Sequence, residues 1–203
     1  MKLTSVLPLI LCLLPAPLSS FQASPATIAA SKCMGSIMAP VHLELYSDFQ
    51  CPHCRKLYLE TMRQVFADCV KNGKVYMIHH DFPLPGHPYA REAARWADAA
   101  GNFNKYEEVT YALFEKQDQW SPTGNIEPIV ASVLSPTDLA KVKKLLKDPR
   151  VEAAIDKDVA LGQTAQIHST PTLFVERHQN RFPITTFVSF DILKRLIDEQ
   201  ASK

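Results

Sequence analysis

Alternating apolar and polar positions mark the first half of the chain as a strand, helix, strand unit. Residues 41–46 alternate with a period of two, which predicts a strand. Pro52 suits the first turn of a helix, and an apolar stripe over residues 55–70 continues it. Residues 74–80 predict a second strand. Two strands joined by a helix are typical of a right-handed parallel βαβ unit.

The middle of the chain is almost wholly helical in pattern. Apolar residues over residues 88–168 recur at helical spacing. Prolines follow Ser121, Ser135 and Asp148, each of a residue type that caps a helix N-terminus. We therefore expect several consecutive helices here, with no strand among them.

The last part of the chain returns to strands. Residues 172–176 and 182–188 predict two strands, and residues 191–200 predict a closing amphipathic helix. The order β–α–β, helices, β–β–α predicts an α/β fold with an all-helical insertion, at about residues 86–167, between its two halves.

The N-terminus has the pattern of an export signal. Lys2 precedes an apolar run of about 16 residues, shorter than the ~20 that a membrane-spanning helix needs, and small residues follow it. We expect residues 1–20 to be a cleaved signal peptide, 21–37 a leader segment and 38–203 the folded domain. An uncleaved membrane anchor is the alternative. Export places the protein in an extracytoplasmic space, where cysteines tend to form disulfides.

Composition describes a soluble, nearly neutral globule. Hydrophobic residues make up 46% and charged residues 21%, and Lys+Arg 22 against Asp+Glu 21 leave a formal charge of +1. This balance gives no electrostatic footprint for nucleic acid or an anionic membrane. Nothing in the pattern indicates an oligomer, so we expect a monomer.

The strongest chemical signal is the Cys-Pro-His-Cys sequence between the first strand and its helix. At a helix N-terminus, unpaired N–H groups and the helix dipole favour a thiolate at Cys51, and His53 adds to this. We expect Cys51 to be the exposed nucleophile, Cys54 the shielded resolving thiol, and Pro52 with His53 to tune the pair. We expect neither metal nor cofactor.

Two other readings of this motif stay open. A single CxxC is half of a Cys₄ zinc site, and His79 with His80 could complete a Cys₂His₂ set. An inert structural disulfide is the second. Otherwise His79, His80 and His87 are expected to be structural residues near the site, and Trp96 and Trp120 to pack between helices.

A second signal is Pro171, directly ahead of the predicted strand 172–176. Proline cannot donate a ladder hydrogen bond, so it suits a strand entrance in an ordinary trans bond. A cis Thr170–Pro171 bond would instead turn the Thr170 backbone outward, where an extended substrate could pair with it.

Four segments together resemble the exported DsbA-like thiol–disulfide oxidoreductases: SDFQCPHCR, HHDFPLPGHPYA, the helical run with ALFEKQ, and GQTAQIHSTPTLFVE. The likeness covers about residues 41–197. It implies a thioredoxin fold with an all-helical insertion, a redox disulfide Cys51–Cys54, a cis Pro171 beside it, and Thr170 in the substrate groove. It also implies exported protein substrates with free thiols, a membrane quinone-linked re-oxidising partner, and the bacterial periplasm or a similar compartment.

One departure from the family pattern concerns proton transfer. Many relatives carry a buried acidic residue six positions before the first cysteine, where this chain has Leu45, and Glu44 should point to the opposite sheet face. We therefore expect no buried carboxylate relay.

Cys33 and Cys69 remain. Cys33 precedes the first strand and Cys69 ends the first helix, so both should lie at the pole away from Cys51. We expect a Cys33–Cys69 disulfide; two separate thiols, with Cys69 a small buried apolar residue, are the alternative.

The leading hypothesis is an oxidase that donates the Cys51–Cys54 disulfide to exported proteins. A reductase or isomerase of the same fold is the nearest rival. A metal-binding or chaperone-like module is a rival of another class, favoured by retained zinc or copper, or by function that survives loss of both cysteines.

Overall fold

The computed structural model describes residues 31–178 and 180–202. The expected signal peptide, residues 1–20, lies outside them. The sheet of these residues has five strands in the order β1-β3-β2-β4-β5, with β2 and β3 parallel and every other pair antiparallel. The strands are β1 (Cys33–Met34), β2 (Val41–Ser47), β3 (Val75–Asp81), β4 (Thr172–Arg177) and β5 (Asn180–Ile184).

Helix α1 joins β2 to β3 and forms the predicted parallel unit with them. It begins as Pro52–Leu57 and continues through π-helical turns at Tyr58–Met62 and Phe66–Val70, separated by Arg63–Val65. Backbone dihedral angles stay right-handed helical across each junction, so the chain runs as one rod. The wider turns shift the apolar stripe without breaking the helix.

The remaining helices lie between β3 and β4, apart from the last one, which closes the described chain. They are α2 (Ala90–Gly101), α3 (Tyr106–Glu115), α4 (Gln117–Trp120), α5 (Glu127–Ala131), α6 (Pro136–Leu145), α7 (Pro149–Thr164) and α8 (Phe190–Ala201).

The sheet has two differently covered faces because side chains alternate along each strand. Leu43 and Leu45 of β2 and Met77 of β3 belong to the main core, which also includes apolar residues of α1, α3 and α8. On the other face Tyr46 and Phe174 belong to a smaller apolar cluster that packs against α7.

Helix α7 approaches this second face closely at Gly162. A Cβ atom there would lie 2.5 Å from the Phe82 ring and 3.3 Å from the Tyr46 ring. A glycine is therefore needed for the helix to pack at this distance from the sheet.

The caps of the insertion follow the sequence prediction at two of three places. The side chain of Ser135 accepts from the Asp138 N–H at the start of α6, and that of Asp148 accepts from the Arg150 N–H at the start of α7. No helix begins after Ser121, because the chain makes a turn there before α5.

One strand differs from its predicted position, and another was not predicted. β5 covers Asn180–Ile184 rather than 182–188, and it is mostly exposed, so burial did not impose a pattern on its sequence. The short β1 was not predicted, since two residues are too few to show alternation; it pairs antiparallel with β3.

The structure does not join Cys33 to Cys69, just as it does not join Cys51 to Cys54, and the placement of Cys33 and Cys69 opposes the expected Cys33–Cys69 disulfide. Cys33 pairs in register with Ile78 and therefore shares its sheet face, where both line a cavity with α7. Cys69 is fully buried in the core with Met77, the neighbour of Ile78 on the opposite face. The sheet thus lies between the two cysteines. The face on which Cys33 lies could not be predicted, because it depends on the pairing of β1 with β3.

A buried charged cluster joins the start of the described chain to the fold. Lys32 Nζ lies 2.6 Å from Asp81 Oδ2 at the end of β3, 3.2 Å from Asp98 Oδ2 on α2 and 2.5 Å from Asp158 Oδ2 on α7. His80 Nδ1 lies 3.0 Å from the second oxygen of Asp158. Because these groups come from four parts of the sequence, the cluster stabilises their relative positions.

None of the helices in the described part of the chain is both long enough and apolar enough to cross a membrane.

Candidate active site

The two cysteines of the CPHC sequence lie at the start of α1, directly after the loop that follows β2. Cys51 has an extended backbone and caps the helix, its C=O accepting from the Arg55 N–H at 3.1 Å, and Pro52 occupies the first turn. The Cys51 N–H donates to the Asp48 C=O at 3.1 Å, which closes the preceding loop. This places both sulfurs at the helix N-terminus, where a negative charge is stabilised.

The pKa of Cys51 is lowered to about 5. The largest cause is a hydrogen bond from the Cys54 thiol, and burial opposes it by raising the pKa. The pKa is lowered further by the backbone N–H groups of Cys54 and His53 and by the Thr170 side chain. At neutral pH the Cys51 sulfur is therefore a thiolate, the form that attacks disulfides and leaves from them.

Cys54 has the opposite character. Burial raises its pKa well above the usual thiol value, and the adjacent Cys51 sulfur raises it further. The pair therefore holds one proton at neutral pH, on Cys54, and shares it in a hydrogen bond to Cys51.

The thiols differ less in exposure than the sequence suggests. Cys51 is 4% exposed and Cys54 1% exposed, so Cys51 is not the open thiol that was expected. Its Sγ lies 3.4 Å from the C=O of Thr170, and the loop that carries Thr170 covers it. His53, by contrast, is exposed beside them.

The loop before β4 lies directly against Cys51. The Thr170–Pro171 peptide bond is cis. Thr170 is buried, and the Thr172 hydroxyl donates to the Ser169 C=O at 2.8 Å, which holds the loop at the start of the strand. The structure thus brings Thr170 and Pro171 together with the cysteine pair.

Gln117, at the start of α4, connects the helical insertion to the cysteine loop. Its buried amide donates to the C=O of Phe49 at 2.7 Å and to the C=O of Cys51 at 3.2 Å. The next residue, Asp118, accepts two hydrogen bonds from the Arg55 guanidinium of α1, both at 2.7 Å. The insertion therefore fixes the backbone on both sides of the nucleophile.

Gln50 makes a second bridge at the rim. Its side-chain amide donates to the C=O of Ser121 at 3.0 Å, and its Oε1 accepts from the Tyr89 N–H at 2.5 Å. Three separate loops are thereby joined around Cys51.

Asp48 holds the loop before Cys51 in place through its carboxylate and its backbone N–H. Its Oδ1 accepts from the Gln50 N–H at 2.7 Å, and its Oδ2 accepts from the Leu84 N–H at 2.7 Å and lies 2.8 Å from His87 Nδ1. Its own N–H donates to Cys54 Sγ at 3.4 Å. Of the three expected structural histidines, His87 thus contacts the cysteine loop through the Asp48 carboxylate.

His79 and His80 do not join the cysteines in a Cys₂His₂ set. They are consecutive strand residues and point to opposite faces: His79 stacks on Phe49, and His80 stacks on Tyr46. Burial lowers the pKa of His79 to about 4, which keeps it neutral. Within residues 31–178 and 180–202, no group of three or more His, Cys, Asp or Glu side chains is arranged to hold a metal ion.

The position of the family's buried acid is apolar, as the sequence shows. Leu45 is in the core, and Glu44 points to the other face of the sheet, where its carboxylate accepts from Arg181 at 2.6 Å. Glu44 therefore cannot serve as a relay beneath the cysteines.

Sequence reasoning missed the residues that hold the cysteine loop in place: Asp48, Gln50 and Gln117. Two of them lie within three positions of Cys51, so proximity was a signal, but each acts through partners distant in sequence.

Comparisons with known proteins agree with this geometry. A family model described as thioredoxin matches residues 28–199. The chain is 23% identical over 180 residues to the probable disulfide bond formation protein D of Bacillus anthracis, covering 86% of this chain and 80% of that protein.

Two crystal structures show the same fold. Alpha-DsbA1 of Wolbachia pipientis superposes with a TM-score of 0.72 at 18% identity, covering 84% of this chain and 90% of that one. Oxidised BdbD from Bacillus subtilis gives a TM-score of 0.70 at 22% identity, covering 85% and 93%. The predicted α/β fold, a thioredoxin fold with a helical insertion, is confirmed.

Proposed function

We propose, since the chain belongs to the thioredoxin family and is a thiol–disulfide oxidoreductase of the DsbA type, that it acts as an oxidase of exported proteins. The observation that carries the direction is the lowered pKa of Cys51, to about 5. Stabilising the thiolate favours the reduced form of the pair, and a pair that prefers to be reduced gives its disulfide away.

In the first step a substrate thiolate attacks the Cys51 sulfur of the Cys51–Cys54 disulfide. A new bond forms between the substrate sulfur and Cys51, and the bond to Cys54 breaks. Cys54 leaves with the electron pair and then takes up a proton, since burial raises its pKa.

In the second step another substrate thiolate attacks the substrate sulfur of the mixed disulfide. Cys51 leaves as a thiolate, and its lowered pKa makes it a good leaving group. The substrate has lost two electrons and gained a disulfide, and the cysteine pair is reduced.

The loop at Thr170 and Pro171 is proposed to receive the substrate backbone. It lies against Cys51 at the entrance of β4, with the Thr170 C=O 3.4 Å from the sulfur. An extended peptide that pairs with this backbone would bring its cysteine to the nucleophile.

Re-oxidation needs a second partner. The relative from Bacillus anthracis is named a disulfide bond formation protein, which supports a role in the same process. We propose a membrane quinone-linked oxidant as that partner, and an extracytoplasmic location, in a bacterial periplasm or its equivalent, as the place of the reaction.

The test is to mix the oxidised protein with a reduced, unfolded protein that has two cysteines. An oxidase converts the substrate to its disulfide form, with one substrate disulfide formed for each molecule of oxidised protein. Given the substrate in its disulfide form instead, the reduced Cys54→Ser variant should attack it through Cys51, release one substrate thiolate and accumulate a mixed disulfide. The Cys51→Ser variant should neither oxidise the reduced substrate nor form the mixed disulfide.

Other outcomes would replace the proposal. Rapid reshuffling of a scrambled, already oxidised substrate without net oxidation would indicate an isomerase. Function that survives the Cys51→Ser, Cys54→Ser double substitution would indicate a binding module.

A further inference from the structure

Cys54 poses a leaving-group problem for this site. It is 1% exposed, and burial raises its pKa well above the usual value. Yet when a thiolate attacks Cys51, the Cys51–Cys54 bond breaks with its electron pair on Cys54. A buried thiolate must form there before a proton arrives, and a buried charge without donors is costly.

The end of β2 brings two donors to this sulfur. The Asp48 N–H lies 3.4 Å from Cys54 Sγ. Ser47 is two residues after Leu45 and so shares its face of the sheet, towards α1 and Cys54. Ser47 is buried there, and its hydroxyl lowers the pKa of Cys54, which is the effect of a hydrogen-bond donor on a thiolate.

We propose that the Ser47 hydroxyl and the Asp48 N–H together stabilise the leaving Cys54 thiolate. Ser47 would thereby supply hydrogen-bond stabilisation on the sheet face where Leu45 stands in place of a buried acid. The inference rests on the proposed thiol–disulfide exchange but holds for either direction of it.

The two donors are fixed before the reaction begins. Ser47 is 2% exposed, and its C=O accepts from the Phe82 N–H at 2.8 Å. The Asp48 carboxylate is held by the N–H groups of Gln50 and Leu84 and lies beside the His87 ring, which fixes the Asp48 backbone. Donors already oriented towards the developing charge cost no reorganisation at the moment of bond breaking.

Ser47 should affect the rate of thiol–disulfide exchange and not its equilibrium. In the resting reduced protein Cys54 is protonated, so its donors contribute little to the stability of that form. In the transition state Cys54 carries developing negative charge, and its donors contribute fully. Removing Ser47 should therefore slow exchange and leave the reduction potential unchanged.

The experiment is reduction of the oxidised protein by dithiothreitol, followed by stopped-flow fluorescence, with Ser47→Ala against the unchanged chain. A hydrogen bond to a charged group corresponds to roughly a tenfold effect on rate. Dithiothreitol reduces the pair whatever its natural direction, so failure of the oxidase proposal would not affect this result. Ser47→Thr, which keeps the hydroxyl, should retain most of the rate.

Thr110→Val is the matched control. It removes another buried hydroxyl, one on α3 that has no hydrogen-bond partner within the described part of the chain. Its rate and its potential against glutathione should match those of the unchanged protein. The proposal is overturned if Ser47→Ala reacts at the original rate. It is also overturned if rate and potential shift together, since that is the result of a structural role.

Discussion

Replacing Lys32 with methionine should destabilise the protein strongly. Lys32 is the ammonium group shared by Asp81, Asp98 and Asp158, with N–O distances of 2.6, 3.2 and 2.5 Å. All four side chains are almost fully buried. Methionine has a similar length and no charge, so the change leaves three buried carboxyl groups without their cation.

Breaking a buried ion pair by removing one partner costs about 3–5 kcal/mol. In a chain of this size that lowers the melting temperature by roughly 10 °C. The assay is urea denaturation at pH 7, followed by circular dichroism. Lys105→Met is the matched control, because the Lys105 side chain is partly exposed and pairs with Glu108, one turn away, in an ion pair open to solvent.

The pH dependence of the stability of Lys32→Met gives a second test of the same reasoning. Burial already raises the pKa of Asp98. Without Lys32 the carboxyl groups of the cluster will bind protons more readily in the folded state than in the unfolded state. Proton binding therefore stabilises the folded variant as pH falls. The difference in free energy of unfolding between Lys32→Met and the unchanged protein should be smaller at pH 5 than at pH 7. A loss at pH 7 no larger than that of Lys105→Met would refute the reasoning.

Three further predictions concern the site and its supports. The reduced protein should show thiolate absorbance that titrates near pH 5, from Cys51, and its folded state should gain stability as pH rises from there towards the usual thiol pKa; a midpoint near 8 would contradict this. Gln117→Ala should cost about 1–3 kcal/mol in urea denaturation and slow exchange with dithiothreitol, because two backbone carbonyl groups lose their donor; unchanged values in both would refute that role. Gly162→Ala should lower the melting temperature because its Cβ would lie 2.5 Å from the Phe82 ring, whereas Gly86→Ala, with open space around it, should not; equal effects would argue against the close contact.

Much of the fold could be predicted because it depends on local patterns. The alternation in β2 and the apolar stripe of α1 follow from which side chains are buried, and the CPHC sequence sits at their junction. The caps at Ser135 and Asp148 are equally local, since each side chain bonds to a backbone N–H within three residues.

The expectations that the structure opposes concern residues whose position depends on a distant part of the chain. Cys33 is in β1, and only its register against Ile78 puts it on the face away from Cys69. The exposure of Cys51 was overestimated because the loop at Thr170, 119 residues later, covers it.

The supports of the site could not be predicted for the same reason. Gln117 reaches Phe49 and Cys51 only after the insertion has packed against the cysteine loop. Lys32 meets carboxylates 49, 66 and 126 residues away, and no spacing rule connects them.

The central claim is that the Cys51–Cys54 pair is an oxidant. The most direct test is to equilibrate the protein with glutathione buffers of known ratio, trap the thiols by alkylation and determine the reduction potential by mass spectrometry. The low pKa of Cys51 predicts a potential clearly more oxidising than about −270 mV, shifted towards the value of about −120 mV found for a strong oxidant. A potential near −270 mV, typical of a reductase, would contradict the account.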